Sequence, residues 1–406
     1  MSLSYTTKVT LTGSVGKQCL IRSAANDVLV LSDAKYQRFD LSLHTQIGST
    51  LTMPFTGEAI ALCTTSCALV GFSSSATVTL IEISTGYQQN YTGGASVAAS
   101  DRANQSAGDP VNNIVLSSNG SAGTLGKFNG NTFVSSTITN STIPFVAQII
   151  IFKGSGRWLI GCNSSSTIGG GVIYEIDASF NIYKVLVVDP AVSWKFAGVT
   201  PTAQGLYNTT ICGLNLFNDI LTVITTQGGV YQYSYSSGDL LYKQVGAGTI
   251  FTTPTGIQMS QCPFGVSLIQ QQGNGNYTAF METFSNKIPY TSGDVISLNL
   301  TARSSSVDIH PTSGICTSTD VAGNLYFFNM SVPSQTNESV SLSDPSGTPV
   351  KGEVIMWNET DQNMILHTTV PAGGSTISLP QGKTVMQIGK IYSGNDGKWD
   401  IAEIST

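Results

Sequence analysis

Short apolar runs rich in Val, Ile, Leu, Phe and Tyr alternate with clusters of Gly, Asn, Ser and Thr along almost the whole chain. No window of a dozen residues spaces its apolar positions at three and four, as an amphipathic helix would. This punctuation predicts a chain that is nearly all β. Seven of the runs are largely apolar at successive positions: Val28 to Leu31, Ala68 to Val70, Ile114 to Leu116, Trp158 to Ile160, Ile220 to Val223, Val266 to Ile269 and Ile315 to Thr317. A strand that is apolar on both faces is buried on both faces. Each run is therefore expected deep inside a packed arrangement of sheets.

One hairpin after each run comes a strand that ends in an aromatic or aliphatic residue, then Asp, Asn or Ser at a turn. The pairs are Phe39-Asp40, Ile83-Ser84, Phe128-Asn129, Ile176-Asp177, Tyr235-Ser236, Phe284-Ser285 and Phe328-Asn329, and their first members lie 44, 45, 48, 59, 49 and 44 residues apart. A period of roughly 40 to 50 residues is that of a four-stranded propeller blade. The single long interval has room for an inserted loop around Val199 to Tyr207. Over residues 5 to 331 the pattern resembles β-propellers in general and no named family. The Gly-His and Trp-Asp signatures of the WD40 type are missing from the blades, and Ser393 to Trp399 (SGNDGKW) departs from the sialidase-like box and falls outside the ring. The reading is an all-β chain with a seven-bladed β-propeller over 1–331; a two-sheet sandwich or a β-solenoid is the alternative. The last repeat ends near Ser331 without a fourth strand of its own. Thr6 to Thr12, alternating Val9 with Leu11, is expected to supply it and so remove a raw sheet edge.

After Ser331 the texture changes to a linker-like stretch, Val332 to Asn337, and then to a segment with its own turns. Ser346-Gly347-Thr348-Pro349-Val350-Lys351-Gly352 leads into a strand ending at Trp357. A Thr-rich strand with His367-Thr368-Thr369 follows, and then Leu379-Pro380-Gln381-Gly382. Pro presets φ at a turn entry and Gly supplies positive φ within it. This order resembles the transthyretin-like, carboxypeptidase-regulatory-like module, with a departure at Ala372-Gly373-Gly374, where that family commonly has an Asp-Gly turn. The resemblance implies a small β-sandwich over 332–406, an accessory without chemistry of the kind found on secreted enzymes, surface proteins and bacteriophage tail or fibre proteins.

Composition narrows the function. Charged residues make up only 10% of the 406 residues, against about 25% in typical soluble proteins, so neutral polar side chains must carry solubility. The chain is nonetheless 41% hydrophobic, unlike a disordered sequence. Its 18 Lys and Arg are scattered singly in a net charge of -6, which argues against nucleic acid as a partner. The longest apolar run, Phe145 to Phe152, is far short of the roughly 20 residues that span a bilayer, and Met1 to Lys8 lacks the features of a signal peptide.

Candidate chemistry is sparse. The seven cysteines show no CxxC or Cys/His spacing; they read as small buried hydrophobes, with Cys63 and Cys67 the best placed to form a disulfide. His44, His310 and His367 are too far apart for a local metal motif, and no metal or cofactor is expected. Asp308 and His310 lie two apart on a strand and so on one face, the spacing of an acid/base pair. Ser14 and Lys17 match the Ser-x-x-Lys spacing of some acyl enzymes, without the companion motifs. Trp158 and Trp194 are the candidates for stacking on a sugar, against core packing. Eleven Asn-x-Ser/Thr sites reflect the abundance of Ser and Thr. No catalytic residue is expected. The reading is a non-enzymatic virion structural or host-attachment protein, of a bacteriophage tail or capsid, assembled in the host cytoplasm within a symmetric assembly. Its partners would be other virion proteins and a host surface glycan or protein. A polysaccharide-active propeller enzyme, and an extracellular or cell-surface adhesin or lectin, are the alternatives.

Overall fold

The computed structural model describes residues 2–72, 76–93, 106–118, 124–137, 147–162, 171–188, 195–196, 211–225, 230–244, 264–273, 276–285, 291–300, 304–331, 339–342, 352–358, 363–370, 375–378, 387–392 and 399–403. The chain divides into two units, Met1–Ser331 and Val332–Thr406.

In the first unit β1 (Ser2–Thr10) is set aside while the first blade forms from β2 (Gly16–Arg22), β3 (Asp27–Ser32), β4 (Lys35–Asp40) and β5 (Leu51–Thr52). The second blade is β6 (Gly57–Leu62), β7 (Cys67–Phe72), β8 (Thr77–Glu82) and β9 (Gln88–Thr92), and the third is β10 (Ser106–Asp109), β11 (Ile114–Ser118), β12 (Thr124–Phe128) and β13 (Phe133–Thr137). The fourth has five strands, β14 (Ala147–Gly154), β15 (Arg157–Cys162), β16 (Gly171–Asp177), β17 (Ile182–Val188) and the short β18 (Lys195–Phe196). The fifth is β19 (Ile211–Phe217), β20 (Ile220–Thr225), β21 (Val230–Ser234) and β22 (Leu240–Gln244). A three-stranded sheet follows, β23 (Phe264–Gly273), β24 (Asn276–Ser285) and β25 (Thr291–Leu300). The last blade is β26 (Ser304–Ile309), β27 (Ile315–Asp320) and β28 (Asn324–Ser331), completed on its outer side by β1. Ser2 of β1 stands opposite Ser331 and Thr10 opposite Asn324, with a register shift between Tyr5 and Thr7.

The fold is an all-β propeller, but the expected seven blades are corrected to six complete ones. Among the described residues, the repeat between the fifth blade and the last has three strands. Val266 to Ile269 falls in its first strand and Phe284-Ser285 closes its second. In complete blades the same landmarks mark the second and third strands: Val28 to Leu31 lies in β3, and Phe39-Asp40 ends β4. The period of the sequence could not reveal this, because it registers the middle of each repeat and is silent about the first strand. Residues 245–263, between β22 and β23, lie outside the described residues, as does the expected loop around Val199 to Tyr207.

The core lies between blades. β3 is buried at all six positions, DVLVLS, and its alternating side chains serve two different layers. Val28 and Val30 pack with Leu325 and Phe327 of the last blade; Leu29 and Leu31 pack with Ile60, Val70 and Phe72 of the second. The same arrangement joins the second blade to the third through Val78, Val115 and Phe128. Leu116 and Leu125 of the third meet Trp158 and Tyr174 of the fourth, and Ile149 and Leu159 of the fourth meet Leu221 and Tyr233 of the fifth. This is why the second strand of each blade reads as a continuous apolar run. First strands approach so closely that a Cβ on Gly108 of β10 would lie 1.7 Å from the Leu62 carbonyl oxygen of β6; only glycine fits there.

The repeated turn residue has a local cause. Asp40 Oδ1 accepts from the backbone N–H of Ser42 (2.8 Å) and Leu43 (2.7 Å), Asn129 Oδ1 from Asn131 and Thr132, and Asp177 Oδ1 from Ser179 and Asn181. A short side-chain acceptor closes each turn in place of a backbone carbonyl. Phe328-Asn329 differs from the expected turn: both lie within β28, which runs on to Ser331 against β1.

In the second unit β29 (Ser339–Leu342) is followed by β30 (Gly352–Asn358), β31 (Asn363–Val370), β32 (Ser375–Ser378), β33 (Gln387–Tyr392) and β34 (Trp399–Glu403). β29 pairs with β32, and the others pair in the order β31-β30-β33-β34, antiparallel throughout. The turns that carry the transthyretin-like resemblance, 346–351 and 379–382, lie outside the described residues.

Candidate functional site

First strands of successive blades are neighbours, β26 beside β2, β2 beside β6, β6 beside β10, β10 beside β14 and β14 beside β19. They therefore surround the axis of the ring. At the end where each first strand turns into its second, five of them enclose a cavity of about 330 Å³. Leu20 and Ile21 of β2, Leu62 of β6, Ile150 and Phe152 of β14 and Ile309 of β26 make its wall largely apolar. Ser23 and Ser106 are its neutral polar residues, and Pro110 and Pro311 stand at the turns. Asp308, the penultimate residue of β26, is the one ionisable side chain on the wall among the described residues.

Asp308 is buried. Its Oδ2 accepts from the Ile21 N–H across the blade boundary (2.6 Å), and its Oδ1 accepts from the Ile309 N–H (2.8 Å). Burial pushes its carboxyl up to about 7, and the two backbone N–H groups oppose the shift without cancelling it.

His310 is engaged elsewhere. Its Nδ1 accepts from the N–H groups of Thr312 (3.2 Å) and Ser313 (3.1 Å), and its Nε2 faces the Ser23 carbonyl oxygen at 3.2 Å. The pattern assigns a neutral ring with the proton on Nε2, donating to Ser23. The candidate Asp308–His310 pair does not form: each side chain ties down separate backbone, because the strand ends at Ile309 and the chain turns before the ring.

The other candidates resolve into structural roles. Trp158 is wholly buried between the third and fourth blades, and its indole N–H donates to the Ala107 carbonyl oxygen at 3.0 Å; a ring so enclosed offers no face to a sugar. Trp194 lies outside the described residues. Cys63 and Cys67 are free thiols, not a disulfide. They sit at the ends of a hairpin closed by the Cys63 N–H to Cys67 carbonyl bond (2.9 Å), and the Cys63 thiol contacts the Asn113 side chain. Burial pushes the thiols of Cys19 and Cys63 up to about 12 each, the opposite of what a nucleophile needs. Ser14 donates to Asp33 (2.8 Å) while Lys17 pairs with Glu58 (3.0 Å), so the Ser-x-x-Lys spacing brings no base to the hydroxyl. His44 packs against Phe327, and nothing is described of the side chain of His367. Among the described residues, no group of three His, Cys, Asp or Glu side chains is placed to hold a metal ion. No described helix is long and apolar enough to cross a membrane.

Two charged clusters escaped the sequence reading, since their members stand on different strands and form no sequence motif. Asp27, fully buried, is held between Arg22 and Arg38. Glu175, also buried, takes Lys153 (3.2 Å), Arg157 (3.0 Å) and the Tyr235 hydroxyl of the next blade. Burial raises the Glu175 carboxyl; the Tyr235 hydrogen bond and the two cations outweigh it and hold the group below the usual range. Their charged members sit on the first, second and third strands of one blade, Arg22, Asp27 and Arg38 in the first blade and Lys153, Arg157 and Glu175 in the fourth.

Solved structures with the same fold are similar over most of the chain. A structure described as the crystal structure of RRP9 WD40 repeats matches 80% of this chain and 98% of its own, with a TM-score of 0.56 at 8% identity. A structure of U3-55K matches with the same coverage, score and identity. A chain in a crystal structure of the mitotic checkpoint complex matches 80% of this chain and 92% of its own, at a TM-score of 0.56 and 11% identity. At such identities the likeness is one of fold alone. No protein-family model matches the chain, and no curated protein matches it in sequence.

Proposed function

We propose that the chain is a non-enzymatic structural or host-attachment protein of a virus particle, a bacteriophage tail or capsid, assembled in the host cytoplasm. The propeller is its rigid platform, and residues 332–406 are a transthyretin-like sandwich that docks it. The observation that carries the non-enzymatic part is the axial cavity. A reaction centre needs an acid, base or nucleophile with a free partner, whereas Asp308 holds two backbone amides and His310 is held by three backbone groups. What remains is an apolar recess with one carboxyl, suited to taking up a group from a binding partner. Low charge, the Ser/Thr/Gly-rich strands and the resemblance of the C-terminal segment support the particle reading. Exposed apolar side chains on hairpin turns, Leu43, Tyr87 and Val111, are consistent with contact to other proteins.

Two measurements test this. Mass spectrometry and density maps of purified particles should find the chain in them; its absence would remove the particle reading. Purified protein screened on host glycans and cell envelopes should bind without cleaving, and release of oligosaccharide would favour the polysaccharide-active enzyme instead.

A further inference from the structure

We infer that the axial cavity is a socket for a single lysine side chain of a partner protein, with Asp308 as the counter-ion. The inference rests on the reading of the chain as a binding protein and names the chemistry that its ring recognises.

Three features converge. At about 330 Å³ the cavity is near the lower end of the roughly 300–1,000 Å³ of ligand pockets, so it admits one side chain and not an extended glycan. Its wall is mostly Leu, Ile, Phe, Ala, Gly and Pro, which favours a long alkyl stem and disfavours a sugar, whose hydroxyls would lose water without finding partners. The third feature is the unused capacity of Asp308. An ionised carboxylate has about four lone-pair sites, and the N–H groups of Ile21 and Ile309 take two.

A primary ammonium carries three donors and one compact charge, and the wall supplies the single carboxylate of Asp308, with the polar residues Ser23 and Ser106 also on the wall. A guanidinium brings five N–H donors in a rigid fork and would leave some unmet against Leu20, Leu62 and Phe152. The single carboxylate and the apolar wall favour the compact charge and long alkyl stem of lysine. Association forms an ion pair and hydrogen bonds only, with no covalent step.

The test uses the whole chain with isoleucine methyl labels and Nα-acetyl-lysine N-methylamide as the probe. Saturable methyl shifts at Ile21, Ile150 and Ile309 are expected, with at least tenfold weaker binding when the probe's side chain is Nε-acetylated. Asp308→Asn should weaken the unmodified probe at least tenfold. Equal binding of the two probes, or no saturable shift with the unmodified one, would overturn the inference. The acetylated probe is used on unaltered protein, so the decision stands even where the variant fails to fold. Lysine selectivity in a protein absent from particles would keep the socket and remove the particle reading; presence in particles without lysine selectivity would do the reverse.

Discussion

Asp27 shows how one side chain can hold a blade's turning end together. Its carboxylate is fully buried, takes Arg22 Nε at 2.8 Å and contacts Arg38 from the third strand. Removing one partner of a buried ion pair leaves the others uncompensated, at about 3–5 kcal/mol. Because the Arg22 and Arg38 side chains keep 10% and 23% exposure, the cost should fall at the lower end, about 3 kcal/mol for Asp27→Ala, read from urea denaturation. Asp308 behaves oppositely. Its folded-state carboxyl is raised to about 7, above an unfolded value near about 3.9, so the folded state holds a proton that the unfolded state has given up. The associated stability is fully present below the unfolded value and is lost as pH rises through about 7. Between about pH 5 and 7 the unfolding free energy should fall with a slope approaching about 1.4 kcal/mol per pH unit from this group, and the slope should vanish above about pH 8. Asp308→Asn should flatten that slope in calorimetric melts, and an unchanged slope would show that the drift comes from other groups.

At the scale of elements, the ring depends on a strand from the far end of its sequence. β1 covers the outer edge of β28 from Ser2↔Ser331 to Thr10↔Asn324. Deleting residues 2–10 removes that ladder and uncovers a sheet edge. With net hydrogen-bond contributions of about 0.5–1.5 kcal/mol each, a loss of several kcal/mol is expected, visible as a lower melting temperature and as association in light scattering; an unchanged melt would mean that the strand is dispensable. Such elements were legible because burial writes itself into composition. Val28 to Leu31 must be apolar throughout to serve two layers, and Asp40, Asn129 and Asp177 must be short acceptors to close their turns. The blade count was less legible, since the landmark pairs recur once per repeat and do not record how many strands each repeat contributes. The Phe328-Asn329 pair misled in another way: its Asn is a strand residue, paired with Ser4 of β1.

For the molecule as a whole, the fold was readable without the family signatures, and similar structures share it at 8 to 11% identity. The ring requires only a period, a buried pair of faces and turns; the choice of residues within those limits is wide. The site was far less readable, because the axial cavity is assembled from five blades, with Leu20 and Asp308 nearly the whole ring apart in sequence. The closing strand carries one mechanical consequence. Ser2 and Ser331 are cross-strand partners in an antiparallel ladder, so the polypeptide enters and leaves the first unit at one point on its rim. A load applied between those two residues peels the ladder open one rung at a time, as a zipper parts, instead of shearing all its rungs at once. The ring would resist twisting and compression far better than a pull on its two ends.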